Sequence, residues 1–396
     1  MKHRLFLFLA AISVVFAALP AGTARRPRYG GTLRVEIGAA VNSLDPAVAG
    51  ANPGEVAAKE EIDALLYGPR NLDGTFVGAV AGSGPFRIAE WDPGKHATLA
   101  ANDEYRGGRP FVDSIEIQMG RTARSRLLDL QLNKTDFADI PPGQARRASE
   151  QGIRVSASQP DELLALVFVA GRATTEDARV REAVARSIDR AAIVNFILQK
   201  EGEPAGGLLP QWSSGIAFLF PTQAESTRAK ELWLQIAPSP RIVLGYDSGD
   251  PLEQTIAERI VVNARESGIL LVPQAIQPVA PASLSGAGNL DARLIRLRMP
   301  SPHPGSTLVS FLSVLGPLAG LDTTVPPETS SPEAIYACEH DVVGGFRVVP
   351  LVWLPQVYGL SGRVRDWKVP AAGESWPLAD VWLEGPAEPV GEGEAP

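Results

Sequence analysis

Four histidines and one cysteine are the side chains whose spacing would most readily betray chemistry, and none is placed to perform it. His3, His96, His303 and His340 never fall three or four residues apart, so no two imidazoles share a helix face as a metal pair would require. Cys338 precedes His340 by two positions, an offset at which helical side chains point apart, which argues against a thiolate–imidazole pair. Gly82-Ser83-Gly84 lacks the outer residues of a nucleophile elbow and runs through Pro85 into a strand pattern instead of a helix. Gly30-Gly31 opens a strand, the wrong order for a phosphate cradle at a helix start. No catalytic residue, metal or cofactor is therefore expected, and a hydrolase is the weakest functional class. What remains is binding. Trp212 stands in a glycine-rich, apolar but unpatterned loop from Gly202 to Phe220, either a packed lid or a ligand wall, and His303 sits in Ser301-Pro302-His303-Pro304.

These residues must be held by alternating α and β elements. Phe86, Ile88 and Glu90, then Ala97, Leu99 and Ala101, alternate as two strands about an Asp92-Pro93-Gly94 turn, and Ser114–Gln118 reads as a third strand. Before them, Leu33, Val35 and Ile37 share one strand face, Asn42-Ser43-Leu44-Asp45-Pro46 forms a turn, and a short helix runs from Glu55 to Leu66. Helices are expected over 123–132, 141–150 and 179–198. In the last of these, apolar residues recur at helical spacing from Val180 to Leu198, and Asp189 and Arg190 form an inert ion pair. Strands over 135–140, 153–156, 163–169, 241–246, 269–274 and 290–298 alternate with a helix over 251–267. Helices over 308–315 and 332–343 then lead into a strand run from Phe346 to Gly359.

Gly-Ser-Gly-Pro-Phe at 82–86, a strand ending in Trp91, Asn102-Asp103-Glu104-Tyr105 before a strand, Gly-Gly-Thr-Leu-Arg-Val at 30–35 with Ser-Leu-Asp-Pro at 43–46, and Val-Arg-Glu-Ala-Val-Ala-Arg-Ser-Ile-Asp-Arg at 180–190 together resemble one family. It is the extracellular solute-binding proteins, family 5, the dipeptide- and oligopeptide-binding proteins of bacterial ABC importers. The resemblance implies an α/β, two-lobed periplasmic binding protein of type II with a hinge between the lobes. The first lobe would comprise 25–158 and a return segment 346–385, and the second 159–345, with the chain crossing near Ser158–Asp161. It also implies a solute held by lobe closure and delivered to a membrane permease and its ATPase, by a monomer. Carried over by position, Ser43, Leu44, Ser83 and Phe86 would line the first-lobe wall, and Trp212 and His303 the second. Three departures stand out. Between Pro46 and Gly82 the family carries a whole small subdomain, of which only 47–81 is present, without its His-Asp-Gly turn. Peptide-binding members usually place Asp-Pro where His303-Pro304 stands, the carboxylate pairing with the ligand's amino group. Neutral imidazole cannot replace a buried carboxylate, and imidazolium would repel an ammonium. Val169, too, stands where Asn is common.

With 396 residues, 45% hydrophobic and 21% charged, the chain has material for two cores. Met1-Lys2-His3-Arg4, the apolar run Leu5–Leu19 and Gly22-Thr23-Ala24 read as a signal peptide cleaved after residue 24. Its removal would take the net charge from −8 to about −10, which disfavours nucleic acid and anionic membrane as partners. Cys338 is the sole cysteine and lies far from that leader, so a free periplasmic protein is expected, not a lipoprotein. A tail from 386 is expected to fray. The alternative reading is a degenerate, non-transport paralogue acting as a periplasmic interaction protein, its cleft left too open by the shortened subdomain.

Overall fold

The computed structural model describes residues 26–48, 50, 52–68, 83–216, 219, 221–277, 288–321 and 331–385. The expected leader, the residues from Leu72 to Thr75, most of the proline-rich loop 320–331, and the tail from 386 lie outside them. Two sheets organise the chain. The first contains β1 (Thr32–Glu36), β2 (Phe86–Asp92), β3 (His96–Ala101), β4 (Ser114–Gln118), β5 (Phe137–Ile140) and β6 (Arg154–Ala157). The second contains β7 (Glu162–Phe168), β8 (Glu203–Pro204), β9 (Arg241–Asp247), β10 (Leu270–Ile276), β11 (Ala292–Arg298) and β12 (Val348–Leu354). β13 (Val357–Leu360) then returns to the first sheet, giving the orders β2-β3-β4-β1-β5-β13-β6 and β10-β9-β11-β7-β12-β8.

The expected hairpin is present, with Phe86 opposite Ala101 and Asp92 opposite His96, and β4 adds antiparallel to β3. β1 runs parallel to both β4 and β5, and β9, β10 and β11 are mutually parallel, so each lobe mixes the two kinds of pairing. β7 is central to its sheet and shows why such a strand is apolar throughout. Leu164, Leu166 and Phe168 face one core, with Val184, Ile256 and Leu294, while Leu163, Ala165 and Val167 face another, with Phe311, Leu315 and Trp353.

Two expected elements are divided. The helix read as 179–198 stops at Ser187, where Ile188 turns extended (ψ 120°), and restarts at Arg190 under a cap in which Asp189 Oδ1 accepts the Ala192 N–H at 2.8 Å. Asp189 thus caps its own helix and forms no ion pair with Arg190, contrary to expectation. The strand run from Phe346 also splits. Val348–Leu354 belongs to the second sheet, so the return to the first lobe comes after Leu354, later than residue 346. Pro355 and Gln356 between the two strands belong to neither.

Candidate functional site

The lobes are joined by two crossings that lie side by side. Ser158–Asp161 leads from β6 to β7, and Pro355–Gln356 leads from β12 back to β13. Ser158 N–H donates to the Gln356 carbonyl at 2.9 Å, Gln356 N–H to Ser158 Oγ at 2.9 Å, and Asp161 N–H to the Leu354 carbonyl at 3.1 Å. Paired crossings of a few residues are the hinge form, in which small backbone changes rotate one lobe against the other.

On the first-lobe side, the helix Pro53–Tyr67 is started by Asn52, whose side chain accepts the Glu55 N–H at 2.9 Å, with Pro53 in the first turn. Its last residue gathers two of the expected site residues: Tyr67 Oη donates to the Leu44 carbonyl at 3.4 Å, and exposed Ser83 donates its Oγ–H to the Tyr67 carbonyl at 3.1 Å. Ser43 accepts the Asp45 N–H at 3.2 Å within its turn. The second glycine of the 82–86 motif has a packing reason. A Cβ on Gly84 would stand 2.5 Å from the Leu65 carbonyl oxygen, so the strand can approach the helix end only without a side chain. Phe86 is not a wall residue, because it is fully buried in one core with Leu65, Leu99 and Ile115. Its β2 position turns it inward, while Arg87 to Glu90 are exposed.

On the second-lobe side, Trp212 is half-buried and its indole N–H donates to the Pro160 carbonyl at 2.9 Å, tying the glycine-rich loop to the crossing. Next to it, Ser213 Oγ donates to the Pro302 carbonyl at 3.0 Å, which places this loop against Ser301–Pro304. His303 immediately precedes the helix Pro304–Ala319, longer than the expected 308–315. Its N–H is held by Ser301 Oγ at 3.1 Å, and its side chain is exposed. Leu44 and Ser83 therefore form one group, and Trp212 and His303 a second. No hydrogen bond among the described residues joins the two groups directly.

The lobes instead meet through residues that sequence reasoning did not single out. Arg298, at the end of β11 and five residues before His303, reaches Glu61 of the helix Pro53–Tyr67 with Nη2 to Oε1 at 3.3 Å, and lies 3.8 Å from Asp161 at the crossing. The other Glu61 oxygen accepts the Trp376 N–H at 2.7 Å, and Met299 N–H donates to the Asp161 carbonyl at 2.8 Å. Burial pushes the Glu61 carboxyl up to about 7, against the pull of Arg298 and the Trp376 N–H, and burial likewise lifts Asp161 to about 6. Burial alone would lower the Arg298 guanidinium, but Glu61 and Asp161 more than offset it and hold it above its ordinary value. Only a strong run of charges in an otherwise amphipathic helix, Lys59-Glu60-Glu61, marked this contact in the sequence, and such runs ordinarily face solvent.

The segment after β13 completes the junction. Trp376, Leu378 and Val381 pack in the first-lobe core, where Trp376 and Trp367 lie against Phe137 with ring centroids 5.1 and 4.8 Å away. Ala372 instead packs with the second-lobe residues Leu308 and Phe311. Between them Gly373 has φ 79°, and a Cβ there would meet the Pro300 carbonyl oxygen at 2.1 Å. Gly373→Ala is expected to cost roughly 1–3 kcal/mol and to expose 366–376 to limited proteolysis; wild-type cleavage rates in the variant would contradict that pinning role.

The sequence matches the family model described as bacterial extracellular solute-binding proteins, family 5 middle, over residues 42–316. The chain belongs to this family. Among curated relatives, it is 26% identical over 215 residues to the probable D,D-dipeptide-binding periplasmic protein DdpA of Escherichia coli K12, covering 53% of this chain and 42% of that one. The oligopeptide-binding protein AppA of Bacillus subtilis is 30% identical over 128 residues, 31% of this chain and 23% of AppA. The chain thus matches less than half the length of these relatives. In fold it resembles AppA solved with a nonapeptide (TM-score 0.67, 15% identity, 91% of this chain and 100% of that one). It also resembles the ABC transporter substrate-binding protein CtaP of Listeria monocytogenes (TM-score 0.69, 13% identity, 90% and 100%). The two-lobed α/β periplasmic binding-protein fold is therefore that of the family.

Proposed function

We propose that this chain is the periplasmic substrate-binding component of an ABC importer, which traps a peptide-like or other small solute between its lobes and delivers it to a membrane permease and its ATPase. The observation that carries this reading is the pair of hydrogen-bonded crossings at Ser158–Asp161 and Pro355–Gln356 in a family 5 fold, since a two-strand hinge serves closure around a guest. Binding by AppA of a nonapeptide supports a peptide-like guest. Ser43, Leu44 and Ser83 on one side, and Trp212 and His303 on the other, are the residues we assign to the walls. Phe86 is excluded by its burial.

Mass spectrometry of solutes that co-purify with the protein, followed by thermal-shift titration of a peptide and small-solute panel, tests the proposal. A saturable shift with a co-purified solute is expected, and the absence of any shift across the panel would count against transport. Free dipeptides are expected to give no shift, because an imidazole stands at position 303. His303→Asp is expected to gain a dipeptide response of at least tenfold in affinity, about the 1.4 kcal/mol of one charge-assisted bond. A micromolar dipeptide response in the unmodified protein would remove His303 from its specificity role. The alternative, a non-transport interaction protein, draws on one observation: a single described helix occupies the stretch between Pro46 and Ser83.

A further inference from the structure

Two buried carboxyls share one cation where the lobes and a crossing meet. Glu61 comes from the first-lobe helix Pro53–Tyr67, Asp161 from the crossing, and Arg298 from the end of β11, and each acid is 3% exposed. The pairing is loose: Arg298 Nη2 lies 3.3 Å from Glu61 Oε1, and Nε 3.8 Å from Asp161 Oδ2. Arg296, two residues earlier, is engaged by Glu162 and by Asp250 and supplies no second cation. The remaining groups that face the two acids do not offset them. Glu60 adjoins Glu61 on its helix, Glu162 adjoins Asp161, and Tyr358 of β13 brings only a neutral phenol. The Trp376 N–H donates to Glu61 at 2.7 Å, and Gln356 Nε2 to Asp161 at 3.4 Å.

With both acids ionised, the junction carries one negative charge in excess in a place nearly closed to water, where such a charge is costly. A proton on either carboxyl removes the excess and leaves the guanidinium a carboxylate partner. When the lobes part, Glu61 leaves Arg298 for water and regains the ordinary proton affinity of an exposed carboxyl. Resting on the reading of the chain as a hinged clamp, we propose that closure of the lobes takes up a proton shared between Glu61 and Asp161, so that the empty clamp is held shut in mild acid and loosens as pH rises. The effect of burial has the matching sign. It holds Glu61 at about 7 in the closed form against an ordinary 4.5, and Asp161 at about 6 against 3.8. A group raised in the closed form favours closure fully below its ordinary value, and for Glu61 that contribution is lost as pH rises through about 7. Between pH 6 and pH 8 the ratio of closed to open clamp is expected to fall roughly tenfold.

Pulsed electron-spin distance measurement tests this, with labels at Leu132→Cys in the first lobe and Leu234→Cys in the second, both exposed positions, in a Cys338→Ser background. The guest-free protein is expected to shift toward its longer lobe separation from pH 6 to pH 8. Glu61→Gln keeps an acceptor for the Trp376 N–H and never ionises, so it is expected to flatten most of that shift. Hydrogen exchange of the Trp376 amide reads the same opening where the open fraction is too small for the labels, and its protection, corrected for the intrinsic rate, is expected to fall by the same factor. Separations and amide protection that both ignore pH, or a Glu61→Gln profile that matches the unmodified protein, would overturn the proposal. Separations that change with the co-purified solute but not with pH would overturn it alone, whereas separations that ignore solute and pH alike would overturn the clamp reading with it.

Discussion

Replacing Arg298 by methionine is expected to lower the unfolding free energy by about 3–5 kcal/mol and to split the urea transition into two. The reason lies in what the guanidinium leaves behind. Glu61 and Asp161 are 3% and 3% exposed, and Arg298 is the only cation that pairs with either among the described residues. Removing it strands two buried carboxyls, one on the first lobe and one on the crossing. Both would take up protons near neutral pH, since each is already lifted by burial, and that uptake limits the loss. The double variant Arg298→Met with Glu61→Gln is expected to recover part of the loss, because the stranded charge goes with its partner and the amide can still accept the Trp376 N–H. Unfolding curves for Arg298→Met that overlay those of the unmodified protein would show that the lobes are held by apolar contacts alone.

The contrast between this junction and the rest of the fold shows what a sequence can disclose. The hairpin strand β3 was legible because burial of one face imposes a period of two that survives in residue types, and β7 because burial of both faces leaves an unbroken apolar run. The helix Pro251–Glu266 was legible because Asp250, Pro251 and a helical stripe of Ile256, Ala257 and Ile260 agree with one another. The helix Ser226–Leu234 was missed. Only Ala229, Leu232 and Trp233 are buried in it, and its start carries no side-chain cap, so neither stripe nor punctuation announces it. The break at Ile188 was missed for the opposite reason: an uninterrupted apolar period continues through a point where Asp189 restarts the helix. The site residues depended on a family motif, which located turns well and side-chain directions poorly. Ser83 and Leu44 both hydrogen-bond to Tyr67, whereas Phe86, three positions past Ser83 in the same motif, points into the core. Glu61, Asp161 and Arg298 are far apart in sequence and meet only when two lobes close on each other, and no local pattern encodes that.

Stability is expected to fall as pH rises from about 5 to about 8, and Glu339→Gln is expected to remove part of that fall. Glu339 lies in the helix Pro332–Gly344, 1% exposed, where it accepts the Leu209 N–H at 2.8 Å beside Gly207. No cation pairs with it among the described residues, so burial raises its carboxyl to about 7, only partly opposed by the backbone N–H donors. The sign follows from linkage. Between the ordinary value of 4.5 and about 7 the folded chain keeps a proton that the unfolded chain has released, so the stability is whole below about 4.5 and is lost as pH rises through about 7. The full displacement corresponds to a loss on the order of 3 kcal/mol. Glu61, at about 7, and Glu253, at about 8, are also raised by burial and add slope of the same sign. Asp136 runs the other way. Burial opposes its ionisation, but Arg363 and Arg34 hold it at about 2, so its contribution is lost only as pH falls below about 4. The amide introduced by Glu339→Gln keeps an acceptor for the Leu209 N–H and never ionises. At pH 8 the variant is therefore expected to exceed the unmodified protein by about 1–3 kcal/mol, and at pH 5 to match or slightly trail it, because the new amide donors need partners. Urea titrations at the two pH values decide the matter. Parallel pH profiles for the two proteins would mean that the Glu339 carboxylate is already accommodated in the fold and that the slope has another origin.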